Sequence, residues 1–258
     1  RGSRVTIANS QSDLEHARRA CLLAARLRDA LRAMLAPGLD TRELDDRAAE
    51  LLRQWGARSW FKGYKGYPAH VCVSVNEEVV HGIPGKRRLA AGDLASIDVG
   101  VEFEGFNADT AACAPVGAPS EADERLLRTT REALVAGIAQ ARAGRRVGDI
   151  SHAVQRHVEA AGFSVVREFV GHGIGREVHE EPQIPNYGPA GRGMALVPGQ
   201  MLAIEPMVNQ GSAHVRVLPD GWTAVTADGK RSAHFEHTVL VREGPAEVLT
   251  AAVAEAHA

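Results

Sequence analysis

Two stretches of this chain, 106 residues apart, carry the same helical punctuation. Gly38 aligns with Gly144, Leu44 with Ile150, Ala48 with Val154, Leu52 with Val158 and Gly56 with Gly162, so turn glycines fall on turn glycines and apolar residues on one helical stripe. Each stretch is the second member of a helix pair. In the first pair, Ser12 and Glu15 have capping-box spacing, and Leu14, Ala17, Cys21, Ala24, Leu27 and Leu31 recur at helical intervals until Pro37-Gly38. Asp40 with Glu43 starts the next helix, which Leu44, Ala48, Leu51, Leu52 and Trp55 carry to Gly56. The second pair is expected over 120–143 and 149–161. Any two capped helices share part of such a pattern, so the segments after each pair carry more weight.

Segments rich in Val, broken by Gly and Pro, succeed both pairs: 70–80, 94–101 and 106–114 in the first half, and 164–170, 201–208, 215–218, 223–226 and 232–241 in the second. The stretch 182–198 reads as loop. The fold class is therefore α+β, two halves of helix, helix and strands, about 10–118 and 119–243, within one catalytic domain spanning 4–258. Side by side, the halves would join their sheets, put both helix pairs on one outer face and leave the site near a pseudo-twofold axis. Arg1 to Ser3 reads as a tag remnant and stays outside this reasoning.

At 258 residues, with 45% hydrophobic and 24% charged residues, the chain can bury a sizeable core. A formal charge of −2 gives no global pull toward nucleic acid or an anionic membrane. No apolar run reaches the roughly 18 residues of a membrane helix, so a cytoplasmic protein is expected. The three cysteines, Cys21, Cys72 and Cys113, fit neither a disulfide framework nor a CxxC knuckle and are expected as thiols.

The chemistry starts at a hairpin. If Glu104 and Gly105 form a two-residue turn, Phe103 faces Phe106 and Asp98 faces Ala111, with Asp109 diagonal to Asp98 on the same face, within roughly 7–8 Å. Asp98 lies among Ile97, Val99 and Val101, where an unpaired carboxylate is costly to ionise and a cation removes that cost. His172 in Gly171-His172-Gly173-Ile174-Gly175, Glu205 after Met201-Leu202-Ala203-Ile204, and Glu236 before Thr238-Val239-Leu240-Val241 are further metal-capable groups in apolar or Gly-flanked settings. Four carboxylates and one imidazole form a hard donor set that favours Mn²⁺, Fe²⁺ or Co²⁺ over a thiolate zinc site, with enough charge to share two ions. Other templates fail: His179-Glu180-Glu181-Pro182 lacks the second His of HExxH, and no GxSxG, GxxxxGK or GxGxxG occurs.

Asn76-Glu77-Glu78-Val79-Val80-His81-Gly82-Ile83-Pro84, the Asp98/Asp109 pair, the His172 and His179 segments, Ile204-Glu205-Pro206 and Phe235-Glu236-His237 together resemble the methionine aminopeptidase family, in its order and spacing, from about residue 10 to 243. Glu236 follows Glu205 by only 31 positions, which leaves no room for the helical insertion of type II enzymes and implies type I. The resemblance implies the pita-bread fold, a dinuclear centre of two divalent ions (Co, Mn or Fe(II)) at Asp98, Asp109, His172, Glu205 and Glu236, and Glu205 as proton acceptor. It implies His179 at the substrate carbonyl, His81 at the scissile amide, and a methionine pocket of Tyr64, Tyr67, Cys72 and Trp222. It also implies nascent polypeptide N-termini as substrates, met at the ribosome, cleaved where the second residue is small by a monomeric enzyme. Phe61, Val178 and Gly100 stand where the family commonly has a small thiol residue, an aromatic and Thr; they bear on pocket shape. Xaa-Pro peptidases of the same fold, and pita-bread modules that only bind, are the alternatives. The histidines at 16, 70, 152, 157, 214, 234, 237 and 257 are read as structural or as supporting groups.

Overall fold

The computed structural model describes residues 5–251; Arg1 to Ser3 and His257 lie outside them. Among the described residues four α-helices come in two pairs, α1 (Gln11–Arg32) with α2 (Thr41–Trp55) and α3 (Glu121–Ile138) with α4 (Val147–Ala160). The offset of 106 reappears in the backbone: α1 and α3 end on Arg32 and Ile138, and α2 and α4 begin on Thr41 and Val147. Gly56 and Gly162 both take left-handed φ, 66° and 79°, a conformation that stops a helix at little cost only in glycine. At the starts of α2 and α4 an acidic side chain reaches back to the N-cap backbone, Asp40 N–H donating to Glu43 Oε1 at 2.9 Å and Arg146 N–H to Asp149 Oδ2 at 2.8 Å.

Some local expectations need correction. The cap of α1 is Ser10, whose hydroxyl accepts from Asp13 N–H, not Ser12, which lies inside the first turn; two serines compete there and the earlier one wins. The helix stops at Arg32, before Pro37, and α3 stops at Ile138, short of residue 143. Of 164–170 only Ser164–Val165 is strand, and the loop expected from 182 begins after Ile184.

Fifteen short strands complete the described residues: β1 (Arg58–Ser59), β2 (Val71–Val75), β3 (Glu78–Val80), β4 (Leu94–Phe103), β5 (Phe106–Pro115), β6 (Ser164–Val165), β7 (Gly171–Gly173), β8 (Glu180–Ile184), β9 (Met201–Ile204), β10 (Met207–Asn209), β11 (Val215–Val217), β12 (Ala224–Thr226), β13 (Ser232–His234), β14 (His237–Leu240) and β15 (Glu247–Val248). All pairs of named strands are antiparallel. The first half forms β1-β4-β2 with β5 on β4, and the second forms β15-β14-β9-β7-β8. A bridge joins them, Glu236 N–H donating to the Ala111 carbonyl at 2.9 Å. Beside it, Thr238 Oγ1 donates to the Asp109 carbonyl at 2.7 Å. The expected runs 201–208 and 232–241 are each broken, at Glu205-Pro206 and Phe235-Glu236, where the chain passes from one sheet to another. Pro206 has no N–H for a ladder, which makes it a natural break.

The hairpin register is as the turn dictates, with Phe103 opposite Phe106, Asp98 opposite Ala111 and Gly100 opposite Asp109. Alternation then divides the hairpin. Ile97, Val99, Val101 and Ala108 face α1, whose small residues Ala17, Ala20, Cys21 and Ala24 let it seat closely in the first core cluster. Asp98, Gly100 and Asp109 face the other way. A second core packs Ile150, Val154 and Val158 of α4 under Leu202, Ile204 and Val239. Both helix pairs thus support the sheet from one side and leave its other face to the site.

Candidate metal centre

Each metal-capable residue reaches the site from a different element. Asp98 and Asp109 come from the two strands of the hairpin, His172 from β7, and Glu205 and Glu236 from the two strand breaks. Oxygen or nitrogen atoms of Asp109, His172 and Glu236 lie within 4.8 Å of one another. His172 Nε2 is 3.7 Å from Asp109 Oδ2 and 3.6 Å from Glu205 Oε1. Asp98 lies close enough to Asp109 for each to perturb the other's ionisation. The five residues meet in one place.

They meet nearly dry. Asp98, Asp109, His172 and Glu236 are all buried, and the Glu205 side chain is 14% exposed. Burial pushes every one of the four carboxyls well above its usual range, and the neighbouring Asp109 charge adds to this at Asp98, Glu205 and Glu236. Among the described residues, Asp98 Oδ1, Asp109 Oδ1 and Glu236 Oε1 have no hydrogen-bond partner. Buried oxygens of this kind are rarely left unpaired. Divalent cations would satisfy them and remove the mutual repulsion, so the donor set fits metal. His172 agrees: its Nδ1 lies 2.8 Å from the Gly173 carbonyl, which places the proton on Nδ1 and frees the Nε2 lone pair toward the carboxylates. Burial holds its pKa down, at about 4, so the ring is neutral near pH 7.

Glycine is required around His172. A Cβ on Gly171 would stand 2.4 Å from the Ala203 carbonyl and one on Gly173 2.2 Å from that of Glu181. Only bare backbone lets β7 fit between β8 and β9 and present the imidazole.

The other expected residues surround this centre. His179 stacks beside His172, ring centroids 4.4 Å apart. Burial, then His172 and Lys65, push its pKa down to about 3, although the residue keeps a solvent-exposed edge. His81, lowered to about 4 by burial and then by His179, meets Phe169 edge-on at 5.2 Å and Trp222 at 6.3 Å. Cys72 is opposite Asp98 in the β2–β4 ladder and belongs to an apolar cluster with Phe61, Tyr67 and Ala69, against which Trp60, Ile83 and Trp222 pack. The Tyr67 hydroxyl donates within this wall, to the Val71 and Gly82 carbonyls. Tyr64 is outside that cluster but meets Trp60 at its edge, ring centroids 5.8 Å apart, and its hydroxyl lies 3.0 Å from His179 Nδ1. Val178, next to His179, is half-buried.

Four neighbours were not singled out from sequence. Trp60 lies over Gly100 and Phe169 against His81. Arg28 reaches from α1 to Thr110, whose hydroxyl donates to the Glu236 carbonyl at 2.8 Å. His234, read only as a supporting group, is buried, and its Nε2 has no hydrogen-bond partner among the described residues and lies 3.9 Å from Glu205 Oε2. The spacing of two between His234 and Glu236 was a signal available for it; the rest depend on contacts across the fold.

Known proteins resemble this chain over nearly its whole length. The profile of metallopeptidase family M24 matches residues 15–243. The chain is 48% identical to methionine aminopeptidase 1 of Bacillus subtilis (strain 168) over 244 residues, covering 95% of this chain and 98% of the relative. It is 46% identical to methionine aminopeptidase 1 of Mycobacterium tuberculosis, covering 97% of each. A crystal structure of methionine aminopeptidase from Thermotoga maritima superposes with a TM-score of 0.93 at 45% identity, covering 96% of this chain and 99% of that one. The prolidase from Pyrococcus horikoshii OT3, at 21% identity and a TM-score of 0.75, covering 95% of this chain and 63% of its own, shares the fold.

Proposed function

The chain belongs to metallopeptidase family M24, and from that premise we propose that it is a type I methionine aminopeptidase, removing the N-terminal Met of new polypeptides where the second residue is small. Its relatives at 46–48% identity carry that name, and no helix lies between Glu205 and Glu236 among the described residues. The observation that carries the reading is the meeting of three buried carboxyls, Asp98, Asp109 and Glu236, and the largely buried Glu205 with the Nε2 of His172.

In this reading Asp98, Asp109, His172, Glu205 and Glu236 hold two divalent ions, Co, Mn or Fe(II). When bound, such ions neutralise the carboxylates, make water nucleophilic near neutral pH and polarise a carbonyl. Glu205, largely buried between His172 and His234, accepts the proton of the attacking water. His179 donates a hydrogen bond to the carbonyl oxygen as negative charge grows there. His81, on the Phe169 side, contacts the scissile amide and assists the departing nitrogen. The methionine side chain is received by Tyr67, Cys72 and Trp222, with Phe61 filling the floor; thioether sulfur packs well on such ring edges. Tyr64 borders this pocket through His179. The chain acts as one catalytic domain with halves near 10–118 and 119–243, a cytoplasmic monomer that meets its substrates as they leave the ribosome.

The test is metal analysis together with turnover of Met-Ala-Ser before and after chelation. Release of Met that is lost on chelation and restored by Mn²⁺ or Co²⁺ supports the reading. Cleavage of Xaa-Pro peptides in its place, or no turnover by metal-replete protein, refutes it.

A further inference from the structure

Position 100 faces the site with no side chain, and the fold supplies a reason. Gly100 is two residues along β4 from Asp98 and directly opposite Asp109, so a side chain there would rise on the face that carries both carboxyls. A Cβ would stand 2.2 Å from both Cε2 and Nε1 of Trp60 and 2.8 Å from its Cδ1. The indole takes that seat. It is held by its Nε1–H donating to the Ala108 carbonyl at 3.2 Å and by the Trp60 backbone N–H donating to the Gly100 carbonyl at 3.3 Å.

From this seat the indole meets three rings. Phe61 is 4.1 Å away between centroids, Tyr64 is edge-on at 5.8 Å, and His179 is edge-on at 5.6 Å with planes at 81°. His172 flanks His179 at 4.4 Å. The imidazole is therefore bracketed by Trp60, Tyr64 and His172, while the Tyr64 hydroxyl reaches its Nδ1 at 3.0 Å. A neutral imidazole carries one N–H, and the partner of one nitrogen decides which.

We propose that Trp60 and Tyr64 are positioning residues for His179, and that Gly100 exists to make room for the indole. Trp60 fixes the plane of the ring. Tyr64 O–H donates to Nδ1, which leaves the N–H on Nε2, the atom free to donate to a substrate carbonyl. The inference rests on the reading of His179 given above, but its physical content is a tautomer and a ring orientation that exist without substrate or metal.

Two measurements test it. Long-range ¹⁵N–¹H spectra of the metal-free protein should assign His179 to the Nε2–H form, with Tyr64→Phe and Trp60→Ala populating the Nδ1–H form. An Nδ1–H ring in the wild type, or no change in either variant, overturns the proposal, and this holds whether or not the protein releases Met. In the metal-replete protein Trp60→Ala should lower kcat on the order of 10- to 100-fold, the cost of a small misplacement, with KM little changed. Trp60→Phe, which keeps a ring against His179, should recover most of it. Gly100→Ala, which drives the indole from its seat, should reproduce the loss, and Trp60→Ala/Gly100→Ala should be no worse than either single change. Multiplying losses in the double variant, or a change in KM alone, would refute the positioning role. Should Trp60→Ala not fold, Gly100→Ala and Trp60→Phe carry the same comparison.

Discussion

Replacing Arg28 by Met removes a cation that the fold buries beneath the metal site. The side chain is 3% exposed. Nη1 donates to Thr110 Oγ1 at 2.7 Å and to the Thr250 carbonyl at 3.0 Å, while Nε and Nη2 meet the Asp29 carboxylate at 3.0 and 3.2 Å. Asp29 is a third exposed, so its pairing is screened and adds little. The two bonds from Nη1 are the ones that count. Each is a buried bond from a charged donor, of about 1.5–3 kcal/mol, so Arg28→Met should cost about 3–6 kcal/mol. Met keeps the volume of the stem, which excludes a cavity as the cause. For a chain of this size ~2–4 °C accompanies each kcal/mol, so the fall in Tm should be about 6–24 °C. Arg28 also lowers the Glu236 carboxyl pKa against its three acidic neighbours, so metal affinity should fall as well. Calorimetry of chelated wild type and variant, followed by Mn²⁺ titration, measures both. A Tm within about 2 °C of wild type, with unchanged metal affinity, would show that the Arg28–Thr110–Glu236 connection carries no load and that the reasoning is wrong.

Three other outcomes are expected. Binding of Mn²⁺ to metal-free protein at pH 7 should release protons, because burial keeps Asp98, Asp109, Glu205 and Glu236 protonated above their usual range; titration calorimetry in buffers of different ionisation enthalpy gives the number, and zero contradicts it. Burial pushes the Cys113 thiol up to about 11 and the Cys21 thiol higher. Folded values above the unfolded ~8.5 mean stability that is intact below that pH and lost as pH rises toward 11, at about 1.4 kcal/mol per pH unit per thiol; urea melts from pH 8 to 10.5 should slope downward, less so in Cys21→Ala. Gly171→Ala, whose methyl would sit 2.4 Å from the Ala203 carbonyl, should open the β7–β9 ladder and weaken metal binding at least 10-fold, on the order seen when a group orienting a ligand is lost; unchanged affinity by titration would remove the strand-fit argument.

The helix pairs, their αL glycines and the hairpin register were legible in the sequence because each is set within a few residues: a cap, a stripe, a two-residue turn. The chemical identity of Asp98, Asp109, His172, Glu205 and Glu236 was legible for a related reason, since a carboxylate or imidazole in an apolar run must find a partner. The α1 cap was misplaced by two residues because Ser10 and Ser12 offer the same local signal, a serine three residues before an acidic one.

What the tertiary structure alone decided is who meets whom. That Glu236 docks on Ala111, that Arg28 lies beneath it, that Tyr64 turns to His179 rather than into the apolar wall, and that an indole fills the place above Gly100 are contacts between elements with no shared local code. Periodicity and capping act over one or two turns of chain, whereas close packing is a property of the whole interior, where each side chain takes the volume its distant neighbours leave.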